Sequence, residues 1–318
     1  MCFSHLDLLQ KPSSKYIYST YGFTLLSAVV EGASGEPFLD YLQNELFRPL
    51  KMDDTGPDLR GRNSTNMTEL FGLDKSGKPY RIDDPEDPSY KWGGGGMVST
   101  PSDLVKLGNA YLDGFIKNEM VDEAFKSQKL ASGKETGVGI GWRRNGDMNT
   151  RPVFEHAGAM GGARSILGIF PEDGLVIAIM ANTYSPRNVE ETAHLMAIPF
   201  LRKETRVKQP QGKWDLTITV NDPNGKEIKE SGYLILNGED DRIVIDSEGL
   251  DKTTYPLFYM QTGNTYALAH RYGLNHTEIE HDSNILKVKS ILYRSPRNQP
   301  PTEEKPFLSF IGKQLQEK

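Results

Sequence analysis

The stretch Val153-Phe154-Glu155-His156-Ala157-Gly158-Ala159-Met160-Gly161-Gly162-Ala163-Arg164-Ser165-Ile166-Leu167-Gly168-Ile169-Phe170 decides the fold. It lies where the apolar period changes from helical to strand-like. Short runs rich in β-branched residues begin at Val138: Val138–Arg143, Val153–His156, Ser165–Phe170 and Leu175–Asn182. The signals between them, including Asn145-Gly146 and Pro171-Glu172-Asp173-Gly174, read as turns of antiparallel hairpins.

Upstream of this sheet the pattern is helical. From Tyr21 to Val30 the apolar residues fall too densely for a surface helix, which predicts a deeply buried one. Gly32 and Gly35 stop it. A second helix is expected over Pro37–Phe47, with Phe38, Leu39, Leu42, Leu46 and Phe47 on one side, ended by Pro49. Gly93–Gly96 lacks the Lys-Ser/Thr of a phosphate loop and reads as a permissive turn. Thr100-Pro101-Ser102-Asp103 then reads as N-cap, N1 proline and acidic N3 of a helix presenting Leu104, Leu107 and Tyr111. A last helix, Arg187–Leu201, is expected to turn Val189, Ala193, Met196, Ala197 and Phe200 toward the sheet. Helices followed by an antiparallel sheet and a terminal helix make an α+β arrangement.

After the charged stretch Arg202–Gln211 a second pattern starts. Trp214, Leu216, Ile218 and Val220 alternate with polar residues, and Asn224-Gly225 turns the chain. Further strand-like runs follow near Gly232–Leu236, Arg242–Ile245, Leu257–Met260, Thr265–Ala269, His276–Ile279 and Leu286–Tyr293. Their spacing predicts a small antiparallel barrel, lipocalin-like. The expected organisation is residues 1–204 as the α+β domain, 205–295 as the barrel and 296–318 as a polar tail carrying one apolar patch, Phe307–Ile311.

Composition narrows the function classes. The 318 residues carry a net charge of −6 with basic residues scattered, which argues against nucleic acid or an anionic membrane as partner. The longest apolar run, Leu175–Ala181, has the length of a strand and falls far short of the roughly 20 residues of a membrane span. The single cysteine, Cys2, excludes intrachain disulfides and cysteine metal clusters. His276, Glu278 and Glu280 alternate as in the solvated face of a strand, so no metal and no cofactor is called for. Asn63, Asn66 and Asn275 each open an Asn-x-Ser/Thr sequon.

Two short motifs carry chemistry. In Tyr18-Ser19-Thr20 the tyrosine and threonine are two apart, so in an extended loop both side chains share a side. A tyrosine hydroxyl serves as a base near neutrality only beside a cation that stabilises the phenolate. In His156-Ala157-Gly158-Ala159 the small residues let a substrate backbone lie against the strand. Ser165 fails the Gly-x-Ser-x-Gly elbow spacing, which argues against it as a nucleophile.

These motifs, in order and correctly spaced, resemble the second and third signatures of the penicillin-recognising, class C β-lactamase-related serine hydrolases. Leu46-Phe47-Arg48-Pro49-Leu50-Lys51-Met52, Gly94–Leu107 and Phe170-Pro171 extend the resemblance over about residues 10–200. Tyr-Ser-Thr, Tyr41 after Leu39-Asp40, and Ser89-Tyr90-Lys91-Trp92 are similar to its animal mitochondrial branch. The resemblance implies a serine acyl-enzyme acting without metal on small esters, amides or peptides. Tyr18 would belong to the general base, Ala159 would donate its N–H to the oxyanion, and Thr20, His156 and Gly158 would contact substrate. It also implies a mitochondrial or extracytoplasmic location.

The sequence departs from that pattern at three points. Thr20 stands for the usual asparagine, and His156 for the lysine of Lys-Thr-Gly, as in esterase-like and peptidase-like members. No serine among the 318 residues has a lysine three positions later, so the Ser-x-x-Lys nucleophile motif is absent from them. The expectation is therefore the C-terminal two-thirds of such a hydrolase domain, inactive alone, and one open reading of it takes Met1 as an internal methionine of a longer protein. The alternative is a pseudoenzyme that binds a ligand or partner. Removal of the central helix is expected to leave an apolar cavity and unpaired strands, so such a product should aggregate or need a partner, a homo-oligomer among the options.

Overall fold

The structure is a computed structural model that describes residues 7–59, 66–83, 85–147, 151–183, 189–201, 210–221, 227–246, 253–260, 264–270, 273–282, 285–293 and 308–314. Cys2, the Asn63 sequon, the Asn224-Gly225 turn and the expected boundary at residue 204 lie outside them. Two compact units form: Met1–Asn145 with Pro152–Ala193, and Gly146–Arg151 with His194–Lys318.

In the first unit, helix α1 (Thr20–Ser34) starts where Ser19 caps it: the Ser19 Oγ accepts from the Gly22 N–H at 3.0 Å. It ends at Gly35, whose φ of 76° lets its N–H reach the Glu31 carbonyl. Helix α2 (Phe38–Leu42) passes into a π-turn over Gln43–Phe47 that buries Phe47. Two small antiparallel pairs follow, β1 (Gly56–Pro57) with β4 (Met97–Val98), and β2 (Phe71–Leu73) with β3 (Pro79–Arg81).

Between β3 and β4 sits helix α3 (Trp92–Gly95), where the sequence predicted a turn. The glycines serve close approach rather than bending. A Cβ on Gly93 would lie 2.4 Å from Ser27 Oγ, and one on Gly94 would lie 2.6 Å from the Thr20 carbonyl, so α3 meets α1 backbone to backbone.

The expected burial of α1 is corrected. None of its residues is buried, and Tyr21, Phe23, Leu25, Leu26 and Val29 are 37–59 % exposed. Apolar density states what a helix has available to bury. Among the described residues α3 and α2 pack most on it and leave that side open.

Helices α4 (Pro101–Asn109) and α5 (Asn118–Phe125) cover a four-stranded sheet, β5 (Arg143–Gly146), β6 (Pro152–Met160), β7 (Ala163–Phe170) and β8 (Leu175–Ala181), in that order. The cap of α4 forms as the sequence predicted, with Thr100 Oγ1 accepting from the Asp103 N–H. Leu104, Leu107, Tyr111, Phe125 and Trp142 pack with Phe154, Leu167, Ile169, Val176 and Ala178 of the sheet. Gly108 permits this contact, since a Cβ there would stand 2.4 Å from Val176 Cγ1. Asn145-Gly146, expected as a turn, belongs to β5. The run Val138–Arg143 is irregular apart from a bridge between its ends.

Helix α6 spans Val189–Ala197. Val189, Ala193 and Ala197 are buried as expected, but Met196 and Phe200 are 54 % and 72 % exposed. Glu190, Glu191 and His194 are buried instead.

The second unit is a closed eight-stranded antiparallel barrel, an up-and-down meander. Its strands are β9 (Gly212–Asn221), β10 (Glu227–Leu236), β11 (Arg242–Asp246), β12 (Thr253–Tyr259), β13 (Thr265–His270), β14 (Gly273–Asp282), β15 (Ile285–Tyr293) and β16 (Leu308–Gln314). Alternation decides what is inside: Trp214, Leu216, Ile218, Leu234, Tyr266, Ile279, Leu286 and Val288 fill the interior. On the outer surface Met260, Ala267 and Leu274 pack with Leu195 and Ile198.

The polar-tail expectation for 296–318 is corrected at Leu308–Gln314, which is β16 and closes the barrel between β15 and β9. The apolar patch read at Phe307–Ile311 marks this strand. Glu278 faces Lys289 and Glu280 faces Lys287 across β14 and β15, an exposed ladder of opposite charges. Among the described residues no group of His, Cys, Asp and Glu is arranged to hold a metal.

Candidate active site

The loop before α1 brings Tyr18 against β6. The Tyr18 and His156 rings stand 6.5 Å apart, centroid to centroid, with a 46° tilt between their planes. Tyr18 is 53 % exposed. Thr20 does not continue an extended segment with Tyr18: it is the first residue of α1, and its carbonyl accepts from Thr24 Oγ1 at 3.1 Å. The expectation of two side chains sharing one side of a loop is thus replaced by a cap at Ser19 that turns the chain into the helix.

Strand β6 carries His156, Gly158 and Ala159. It is joined to β7 by Gly161-Gly162, where Gly162 has a φ of 73°. The register pairs His156 with Leu167 and Gly158 with Ser165. Paired residues on antiparallel strands project to the same side of a sheet. His156, Gly158 and Ser165 therefore share the side of the sheet that holds Phe154 and Leu167, while Ala157 and Ala159 face the other way. Ala159 is exposed near the end of β6.

The electrostatics favour neutral histidine. Partial burial lowers the His156 pKa below the usual imidazole value although part of the residue stays at the surface. The Arg143 guanidinium lowers it further, and Glu155 opposes both. Arg143 itself lies 3.4 Å from Glu190. Its charge also pulls down the pKa of Tyr16, which burial raises more strongly and the neighbouring Tyr18 also raises. Sequence reasoning missed Arg143. It stands on β5, next to β6 only through strand pairing, and no local motif marks it.

This arrangement offers an exposed phenol, an imidazole held toward its neutral form and a run of small residues, Ala157-Gly158-Ala159, on β6. It can orient and hydrogen-bond a polar ligand. No described side chain is hydrogen-bonded to Ser165 Oγ, so that hydroxyl is engaged by no base among the described residues. Among the described residues no helix is long and apolar enough to cross a membrane.

The first unit thus sets a helical layer over an antiparallel sheet, with Tyr18 and His156 meeting beside a glycine-bearing strand. The Beta-lactamase family model matches residues 3–198, and the chain belongs to that family. It is similar to the mitochondrial serine beta-lactamase-like protein LACTB of Bos taurus, 31 % identical over 62 % of this chain and 42 % of the relative. It is also similar to penicillin-binding protein 4* of Bacillus subtilis (strain 168), at 22 % identity over 76 % of this chain and 55 % of that protein. The chain thus spans about half or less of the length of these relatives. The octameric penicillin-binding protein homologue from Pyrococcus abyssi shares the fold, with a TM-score of 0.53 at 17 % identity, covering 95 % of this chain and 66 % of that one.

Proposed function

We propose that the α+β unit forms the substrate groove of a serine hydrolase that cleaves small esters, amides or peptides through an acyl-enzyme. Tyr18 takes part in the general base, the Ala159 N–H donates to the oxyanion, and His156, Gly158 and Thr20 bind substrate. The observation that carries this reading is the meeting of Tyr18 and His156, from motifs far apart in the chain, at 6.5 Å. Without Ser-x-x-Lys among the 318 residues, acylation needs a nucleophile from outside them. A second reading, a ligand-binding pseudoenzyme, rests on that same missing motif. The open apolar side of α1 and the octameric state of the Pyrococcus homologue support self-association as part of either reading.

Intact-mass analysis after fluorophosphonate treatment tests where the nucleophile lies. No adduct is expected on the folded chain, and a stoichiometric adduct would place a reactive serine inside it. The groove is tested by titrating the chain with N-acetyl-phenylalanine methyl ester and the matching amide while following the His156 imidazole resonance. A saturable shift is expected. A folded chain whose His156 signal stays unmoved at millimolar ligand would remove the groove.

A further inference from the structure

Ser165 has no part in the reading above, yet its position is unusual. It pairs with Gly158 across β6 and β7, and its Oγ leans over that glycine: a Cβ built on Gly158 would lie 2.4 Å from it. The missing side chain at 158 therefore makes room for the hydroxyl, on the same side of the sheet as His156. Ser165 is only half-buried, and its hydroxyl makes no hydrogen bond to another described residue. On its other flank it pairs with Met180 of β8, an apolar and 39 % exposed neighbour. A half-buried hydroxyl with no internal partner is a group open to a ligand.

We propose that Ser165 is a substrate-positioning residue of this groove, its hydroxyl donating a hydrogen bond to a carbonyl oxygen of the bound ester, amide or peptide. This inference rests on the groove reading above. Direction follows from the substrate class. An ester offers acceptors and no donor at the bond to be cleaved, so a contact common to esters and amides must be donated by the protein. Gly158 is then the residue that admits the contact, because any side chain there would take the place of the Ser165 hydroxyl. The absence of a hydrogen-bonded base argues for donation of a hydrogen bond and against nucleophilic attack by this serine.

The test is a cycle on the full chain, with the same two ligands and the His156 resonance as readout. Ser165→Ala is expected to weaken binding about three- to tenfold, and Ser165→Thr, which keeps a hydroxyl, to retain most of it. Gly158→Ala is expected to weaken binding similarly by displacing the hydroxyl. In the Ser165→Ala background the same change should cost clearly less than it does in the wild type, and this non-additivity separates a shared contact from two structural effects. Equal affinity for wild type and Ser165→Ala would overturn the inference while leaving the groove standing. Loss of the His156 shift in the wild type would overturn the groove and this inference with it. A fluorophosphonate adduct mapped to Ser165 would make the residue a nucleophile and overturn the positioning role.

Discussion

Tyr18 meets His156 at a ring separation of 6.5 Å, and the histidine it meets is held toward its neutral form by its surroundings. Between its folded pKa and the usual value near 6.5, the folded chain binds fewer protons at this residue than the unfolded chain does. Stability from His156 is thus present above that usual value and is lost as pH falls through the folded pKa. His276, lowered by burial, acts in the same direction. An NMR titration of His156 is expected to show a midpoint below 6.5. Arg143→Gln should raise that midpoint, and a midpoint that stays in place would show the guanidinium to be irrelevant to the imidazole.

Two glycines near one helix should respond with opposite signs. A Cβ on Gly32 of α1 meets nothing within 4 Å, so Gly32→Ala is expected to stabilise by about 0.5–1 kcal/mol through helix propensity. Gly93→Ala would press a Cβ to 2.4 Å from Ser27 Oγ and 2.9 Å from the Phe23 carbonyl. A loss of about 1–3 kcal/mol is expected as α3 is pushed from α1. Urea unfolding of both variants decides the matter.

Asp103 is 1 % exposed, and its carboxylate accepts from the Asp54 N–H at 2.9 Å, Thr55 Oγ1 at 2.9 Å and Lys106 Nζ at 2.8 Å. Asp103→Ala removes the acceptor shared by the Asp54 N–H and the half-buried Thr55 hydroxyl, which keeps only its contact with Ser99 Oγ, and strips Lys106 of its carboxylate partner. The expected cost is about 2–4 kcal/mol. Thermal unfolding should show Asp103→Asn, which keeps one acceptor oxygen, falling between the two.

The open side of α1 predicts a change in solution behaviour without a change in fold. Leu25 and Val29 are 52 % and 59 % exposed and lie four positions apart on that helix. Leu25→Lys with Val29→Glu is expected to move stability by less than about 1 kcal/mol while reducing self-association, measured by sedimentation against concentration. Stability loss with unchanged sedimentation would mean that these residues are covered in the protein's working state.

Inside the barrel, Asn275 is fully buried and its Nδ2 donates to Ser290 Oγ at 3.0 Å, which in turn lies 2.9 Å from Thr277 Oγ1. Its sequon is thus closed to glycosylation in the folded state. Expression through a secretory pathway is expected to leave Asn275 bare, whereas the exposed Asn66 remains open to a glycan. Peptide mapping of the secreted chain reads both sites.

Local signals carried well into the structure. Alternation found the strands around Val153–Phe170 and seven of the barrel's strands, and Thr100 through Asp103 marked the start of α4 because a cap is written in adjacent residues. Failures came where a partner decides. The density of apolar residues in α1 could not say whether anything covers it. Gly93 and Gly94 looked like turn residues because close approach to Ser27 and Thr20 is invisible in a linear string. In the site, Tyr18 and His156 were legible as motifs, whereas Arg143 and the lean of Ser165 over Gly158 exist only once strand register is set.

Barrel closure joins Trp214 of β9 to Gln314 of β16, a hundred positions downstream. A ring made this way has no finished intermediate. As synthesis proceeds, seven strands can pair in order while β9 and β15 keep their outer backbone groups open, each a template for a strand from a neighbouring chain. Only the arrival of Leu308–Gln314 removes both edges at once, so the residues that look most dispensable in composition decide whether the barrel shuts on itself or on another copy.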